Sequence, residues 1–352
     1  ISCHHAAYCP FSTHAKRLKR ARRIFNGLPT MATPRFRSID DIHLCLADLP
    51  AADSEVLAEA EVRNSSLTKP PGALGRLEEL AIWYASWRRD PRPTLTRPQI
   101  VVFAGNHGVA ARGVSAFPAE VTAQMVANFQ SGGAAINQLA ATFGASMEVV
   151  SMELKHPTQD FTTAPAMTTS EFCKAVSKGW RSVNPDADLF IAGEMGIANT
   201  TSAAALAAAL FGGGAEGWVG RGTGVDDDGL VRKRAVVDAG LACHASRLSD
   251  PLEALRCLGG REMAAIAGAI LRARIERIPV ILDGFIVTAS AAALECAAPH
   301  ALDHAVAGHQ SEEGAHGRLL GDLEKEPILS LGLRLGEGSG AVLALGVLKA
   351  AV

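Results

Sequence analysis

The stretch Leu189-Phe-Ile-Ala192, Gly193-Glu-Met-Gly-Ile-Ala-Asn-Thr-Thr201, Ser202-Ala-Ala-Ala-Leu-Ala-Ala-Ala-Leu210 decides the fold. Four apolar residues read as a strand buried on both faces, and the alanine-rich run reads as a helix slim enough to lie close on a sheet. A polar, glycine-bearing loop joins them. The unit recurs, with apolar strands expected at Gln99–Ala104, Ser146–Ser151, Leu189–Ala192, Gly217–Val219 and Val280–Leu282 and Ala-rich helices between them. Strands alternating with helices predict an α/β fold: a doubly wound, mostly parallel, Rossmann-like sheet with helices on both faces.

Outside that core the pattern is helical. Residues Asp40 to Ala60 place Ile42, Leu44, Leu46, Val56 and Leu57 on apolar faces, with Pro50 dividing two helices. Lys69-Pro-Pro-Gly72 breaks the chain before a further helix through Leu74, Leu77, Leu80, Ile82 and Trp83. Near the other end, the Ala/Leu/Val run from Gly338 to Lys349 predicts a last helix. The expected organisation is an α/β nucleotide-binding core over residues 96–300. A smaller helical domain is expected from residues 31–95 together with an active-site segment and helix at 301–352.

The chain of 352 residues carries a net charge of −2. Its first thirty residues hold Lys16, Arg17, Lys19, Arg20, Arg22 and Arg23 and no Asp or Glu, so that segment is +6 and the remainder −8. A mildly acidic body offers no basic face for nucleic acid. Residues 1–30 are expected to be a disordered basic extension. The seven cysteines lack CxxC spacing and their odd number cannot pair completely within one chain, which favours reduced thiols. No run of 18 apolar residues appears, so no membrane span and a cytoplasmic location are expected.

In a doubly wound sheet the ligand lies beyond the carboxyl ends of the strands. Gly105-Asn-His-Gly108, Gly193 to Thr201, Gly220-Arg-Gly-Thr-Gly224 and Asp283-Gly-Phe285 all fall there, which makes them one site. The first turn of the helix after Ile197 is Asn199, Thr200, Thr201 and Ser202. Its free backbone N–H groups and hydroxyls read as a phosphate cradle, with ordinary helix capping as the alternative. Gly220 to Gly224 reads as a second backbone wall for a phosphate rather than a dinucleotide fingerprint, with Lys233 as a nearby point charge. Asp226-Asp-Asp228 reads as a solvated acidic run rather than a metal site, and His107 and His309 as structural histidines. The remaining signal is Arg334-Leu-Gly-Glu337-Gly-Ser-Gly-Ala341, a lone carboxylate between glycines. Such a carboxylate is open to a ligand as a catalytic base; the alternative is a tight turn in which Glu337 favours the positive end of the next helix.

Together with Lys69-Pro-Pro-Gly-Ala-Leu-Gly-Arg-Leu-Glu78 and Asn106-His-Gly-Val109 followed by Gly113-Val-Ser115, these strings span residues 40–350 in an order that resembles the nicotinate-nucleotide–dimethylbenzimidazole phosphoribosyltransferase family. The resemblance implies transfer of phosphoribose from nicotinate mononucleotide to 5,6-dimethylbenzimidazole, giving α-ribazole 5′-phosphate and nicotinate in cobalamin synthesis. It implies Glu337 as general base, Glu194 as a second active-site carboxylate, no cofactor, no metal and a homodimer. It places the nucleotide on Gly193, Gly196, Asn199, Thr200, Thr201, Gly222, Thr223, Lys233 and Ser311, and the benzimidazole against Phe117, Met125, Leu335 and Gly336. Asn106, Phe117 and Met125 depart from residues common in the family, Asp, a small polar residue and Gln respectively. Two other readings use the same loops: a hydrolase with Glu194 and Glu337 as a carboxylate pair and water as acceptor, and a non-catalytic sensor of a base or nucleotide.

Overall fold

A computed structural model describes residues 36–352; the expectation for residues 1–30 lies outside them. The first half runs α1 (Ile39–Leu46), α2 (Ser54–Ser66), α3 (Arg76–Arg88), β1 (Pro98–Ala104), α4 (Glu120–Gln130), α5 (Ala135–Thr142), β2 (Ser146–Ser151) and α6 (Thr169–Ser182). It continues with β3 (Leu189–Met195), α7 (Asn199–Phe211), α8 (Asp227–His244), α9 (Pro251–Leu258), α10 (Arg261–Ile275) and β4 (Val280–Leu282). The last segment is α11 (Phe285–Ala297), β5 (Ala305–His309), α12 (His316–Asp322), β6 (Pro327–Leu329) and α13 (Ser339–Ala351). Every strand pairing is parallel, in the order β2-β1-β3-β4-β5-β6.

The period of two along the buried strands separates two cores. Val101 and Phe103 of β1, Phe190 and Ala192 of β3, and Val280 and Leu282 of β4 face α6, α7, α9, α10 and α11. Their neighbours Ile100, Val102, Leu189, Ile191 and Ile281 face α3, α5 and α13. Strands with both faces covered need no polar alternation, which is why their sequence is a continuous apolar run. The terminal helices α3 and α13 meet on the second face, where Leu80, Tyr84, Val342 and Leu345 are buried together.

Two features differ from the sequence expectation. Gly217–Val219 forms no strand: Ala215–Gly217 is a 3-10 turn after three glycines at positive φ. Trp218 is fully buried there because it packs under α7 and donates its indole N–H to Gly212 O at 2.7 Å, not because it pairs in a sheet. In its place the sheet gains β5 and β6, so residues 301–352 supply two strands besides the last helix. β5 is short and carries Gly308, and β6 starts at Pro327 on the sheet edge, where a residue without an N–H is tolerated. No helix among the described residues is long and apolar enough to cross a membrane.

The winding reverses between β1 and β3, because β2 lies outside β1 while β4, β5 and β6 follow β3 outward on the other side. At such a reversal the loops diverge and leave a crevice at the carboxyl ends.

Candidate active site

A cleft opens at that crevice, where small-molecule sites of such sheets lie. Glu194, Gly196, Asn199 and Thr200 line one side, Gly222, Thr223, Ser311 and Glu313 another, and Gly284, His309, Leu335 and Gly336 close it.

Helix α7 presents its amino end to the cleft uncapped. The residue before it, Ala198, sits at φ 73° and makes no side-chain cap bond. None of the four polar residues of the first turn caps the helix either. Asn199 donates its amide to Glu194, Thr200 Oγ1 accepts from Lys233 Nζ at 3.1 Å, Thr201 Oγ1 is buried without a partner, and Ser202 Oγ meets His107 Nδ1 at 2.9 Å. Among the leading N–H groups of α7, Asn199 N donates to Gly196 O at 3.3 Å and Thr201 N to Ala198 O at 3.0 Å, which leaves the Thr200 N–H available to an anion. Behind them His107 Nε2 contacts Glu262 Oε1 at 2.5 Å, a fully buried chain that ties α7 to the β1 loop and to α10. Opposite, Gly222 stands at φ 54°; a Cβ there would come to 2.9 Å from Thr200 Oγ1 and 3.3 Å from Lys233 Nζ. Only glycine fits a wall that close. Lys233 is 1% exposed, donates to Gly220 O at 2.8 Å, and has its pKa lowered by burial against the opposing pull of Glu313.

The acidic run that follows has other work. Asp226 caps α8 by accepting from Gly229 N at 2.7 Å, and Asp227 pairs with Arg221 at 2.5 Å. Among the described residues no group of three or more His, Cys, Asp or Glu is placed to hold a metal ion.

Glu194 ends β3 inside the protein, 7% exposed. Burial pushes its carboxyl up to about 8, the Asp283 charge adds to that, the Asn199 amide opposes it, and Glu262 and Glu337 push further up. Glu337 is 4% exposed at φ 66°, between Gly336 at φ 79° and Gly338 at φ 94°. A non-glycine residue held left-handed is strained, and such strain concentrates at working sites. Gly193 explains how the turn fits, since a Cβ on it would collide with the Glu337 carbonyl. Burial raises the Glu337 carboxyl, the Ile136 N–H pulls the other way, and Asp283 adds to the rise. Its Oε2 is buried with no hydrogen-bond partner among the described residues.

What frees Glu337 is Asp283, a residue to which sequence reading gave no role. Asp283 is 1% exposed and accepts from Gly338 N at 3.1 Å and Ala341 N at 3.0 Å, while His309 Nε2 approaches it at 3.4 Å. It thus occupies the positive end of α13, the place the bland reading reserved for Glu337. Burial alone would raise the Asp283 carboxyl, but His309 and the backbone donors outweigh it and hold it below its ordinary value. The sequence signal was present in Ile281-Leu-Asp283-Gly284: a carboxylate at the end of a buried strand needs a partner.

Of the expected base-side residues, Leu335 and Gly336 line the cleft, and Phe117 and Met125 are not among its lining residues. Phe117 is half exposed before α4. Met125 lies one turn from Thr122, whose Oγ1 accepts from Ile197 N at 3.2 Å, so it shares the face of α4 that meets the cradle loop. Ser311 Oγ is buried at the cleft without a partner, and its own N–H donates to His316 Nδ1 at 2.9 Å.

Comparison with known proteins agrees with this geometry. A family model described as phosphoribosyltransferase matches residues 49–352. A protein of Ruegeria pomeroyi named nicotinate-nucleotide–dimethylbenzimidazole phosphoribosyltransferase is 66% identical over 307 residues, 87% of this chain and 91% of its own length. One of the same name from Mesorhizobium japonicum is 55% identical over 317 residues, 90% of this chain and 94% of its own. The crystal structure of CobT from Thermus thermophilus superposes with a TM-score of 0.78 at 44% identity, covering 84% of this chain and 95% of that one. The chain belongs to the nicotinate-nucleotide–dimethylbenzimidazole phosphoribosyltransferase family.

Proposed function

From that membership and the cleft we propose that this enzyme transfers phosphoribose from nicotinate mononucleotide to 5,6-dimethylbenzimidazole, giving α-ribazole 5′-phosphate and nicotinate for cobalamin synthesis. The observation that carries the chemistry is the pairing of an uncapped helix end with a buried carboxylate oxygen that no protein donor satisfies. The 5′-phosphate sits at the amino end of α7 on the unspent Thr200 N–H, with the side chains of Thr200 and Thr201 and the Gly222–Thr223 turn around it and Lys233 behind. Ribose C1′ then lies over Glu194, and the pyridinium ring on the Ser311 side.

The bond to the pyridinium nitrogen breaks with its electron pair going to that nitrogen, so nicotinate leaves as a neutral ring and needs neither a Lewis acid nor a general acid. Benzimidazole attacks C1′ through its unprotonated nitrogen. The proton on its other ring nitrogen passes to Glu337, a base of this kind being worth ~10²–10⁴-fold in rate. Burial raises the Glu337 carboxyl, which makes it a better proton acceptor than an ordinary carboxylate. Glu194, protonated when the cleft is empty, orients the ribose by hydrogen bonding and keeps that proton through the transfer. Leu335, Gly336, Phe117 and Met125 hold the acceptor base. The homodimer implied by the family belongs to the proposal too, and the mass of the protein in solution tests it.

The deciding experiment follows nicotinate release with and without 5,6-dimethylbenzimidazole. Release that requires the base, with α-ribazole 5′-phosphate formed in equal amount, is expected. Release at the same rate without the base, yielding ribose phosphate, contradicts the transfer.

A further inference from the structure

The phosphate cradle contains a carboxylate that the proposed mechanism does not use. Glu313 lines the cleft beside Gly222 and Thr223. Its Oε1 is buried with no hydrogen-bond partner and presses on Gly220, where a Cβ would collide with it. The Gly222 N–H and the Lys233 ammonium both favour its charged form, and Arg334 adds a weaker pull. Lys233 places two of its three donors, on Thr200 Oγ1 and Gly220 O, and forms no direct ion pair with Glu313. The carboxyl and the ammonium therefore flank the same glycine turn, and a backbone donor of the cradle already faces an acid. Nothing in a simple anion site calls for an acid there, since a carboxylate repels the phosphate that the other groups attract.

Resting on the phosphoribosyl reading of the cleft, we propose that Glu313 is a specificity-determining residue that fills the anion position while the cleft is empty and takes up a proton when a phosphate enters. As a carboxylate it balances Lys233, which otherwise stands buried and unpaired. As a carboxylic acid it turns from repelling acceptor into donor for a phosphate oxygen. Burial already raises it above its ordinary range in the empty cleft, with Lys233, the Gly222 N–H and Arg334 pulling the other way. A bound anion raises it further. The sign follows: affinity for an anion is highest when Glu313 is protonated beforehand and falls as pH rises above its pKa in the empty cleft. The cleft would then discriminate against any ligand unable to accept that proton's hydrogen bond, such as a nucleoside without its phosphate.

Sulfate is the probe, because its charge does not change between about pH 6 and pH 9 while the protein titrates. Its affinity is measured across that range for the wild type and for Glu313→Gln. The wild type is expected to weaken as pH rises, by at most about tenfold per pH unit for each linked proton. The Gln variant is expected to show a shallower slope, what remains coming from Glu194, and to bind tighter than wild type at the alkaline end. Lys233, Arg334 and Glu194 are present in both proteins, so the difference between the profiles isolates Glu313. Parallel profiles overturn the inference. Should the Gln variant fail to fold, calorimetric titration of sulfate into Glu194→Gln, which removes the other raised carboxyl of the cleft, in two buffers of different ionisation enthalpy decides: proton uptake on binding within that range supports the role, and no uptake anywhere in it removes it. Sulfate linkage without turnover of nicotinate mononucleotide keeps Glu313 and sinks the proposed substrate. Turnover with parallel profiles does the reverse.

Discussion

Helices α7 and α13 start alike and end up doing opposite things. Each follows a glycine-bearing loop, each begins after a left-handed residue, Ala198 or Gly338, and neither has a side chain of its own to cap it. At α13 the buried Asp283 carboxylate takes the Gly338 and Ala341 N–H groups, so the helix dipole is already answered by the protein. At α7 no carboxylate takes the helix N–H groups: Glu194 is engaged by the Asn199 side chain and Ser202 turns back to His107. The closed end leaves Glu337 Oε2 without a partner, and the other end keeps the Thr200 N–H unspent. One strand-end aspartate decides which kind of site a helix start becomes.

Removing the cap at α13 is expected to have the largest effect on the fold and the site together. Asp283→Ala leaves two N–H groups and His309 buried without their acceptor, a class of change that costs about 3–5 kcal/mol. For a chain of this size that means a fall in Tm of several degrees, together with a loss of kcat as the Glu337 turn relaxes. Thermal unfolding and steady-state rates read both; an unchanged Tm means that α13 does not depend on Asp283.

Opening the comparison at the α7 side should give a different signature. Gly222→Ala forces a side chain into a position at φ 54° and against Thr200 and Lys233. KM for nicotinate mononucleotide is expected to rise about tenfold with a smaller change in kcat, since lost ground-state binding appears in KM. A pure kcat defect would move the phosphate elsewhere.

A stability test separates Glu194 from the capped acid. The Glu194 carboxyl is raised from an unfolded value of 4.5 to about 8, so the folded protein binds a proton that the unfolded chain releases. Its contribution favours folding fully below 4.5 and is lost as pH rises toward about 8. Glu194→Gln, which keeps the contact with Asn199, should therefore raise Tm relative to wild type at pH 8 and leave it nearly unchanged at pH 4. Equal differences at both pH values contradict the burial of an uncharged Glu194. The smallest expected effect is that of EDTA, because the departing pyridine needs no Lewis acid and Asp226 and Asp227 are held by Gly229 and Arg221. Activity lost on chelation and restored by Mg²⁺ would send the mechanism back to those residues.

Much of the fold was readable in the sequence because β1, β3 and β4 are covered on both faces. Val280–Leu282 appears with the expected ends, since an apolar run between polar loops has few other ways to fold, and Ser146–Ser151 does so as a half-exposed edge strand. β5 and β6 escaped notice because Gly308 and Pro327 interrupt the apolar signal, and Gly217–Val219 misled because Trp218 is buried beneath a helix. In the site, the polar first turn of α7 and the glycines around Glu337 were local signals. The partners that give them meaning were not. Asp283 lies 55 residues from Gly338, and His107 lies 95 from Ser202 and 155 from Glu262. Such pairings are set by the order of strands in the sheet, which no local pattern of residues encodes.

The contrast between the two helix ends rests on Glu337 being a base and not a binding group, and Glu337→Gln tests that most directly. The amide keeps the shape and removes the proton acceptor. Affinity for nicotinate mononucleotide is expected to stay near that of the wild type while kcat falls by at least about two decades. Near-normal turnover in that variant would contradict the account.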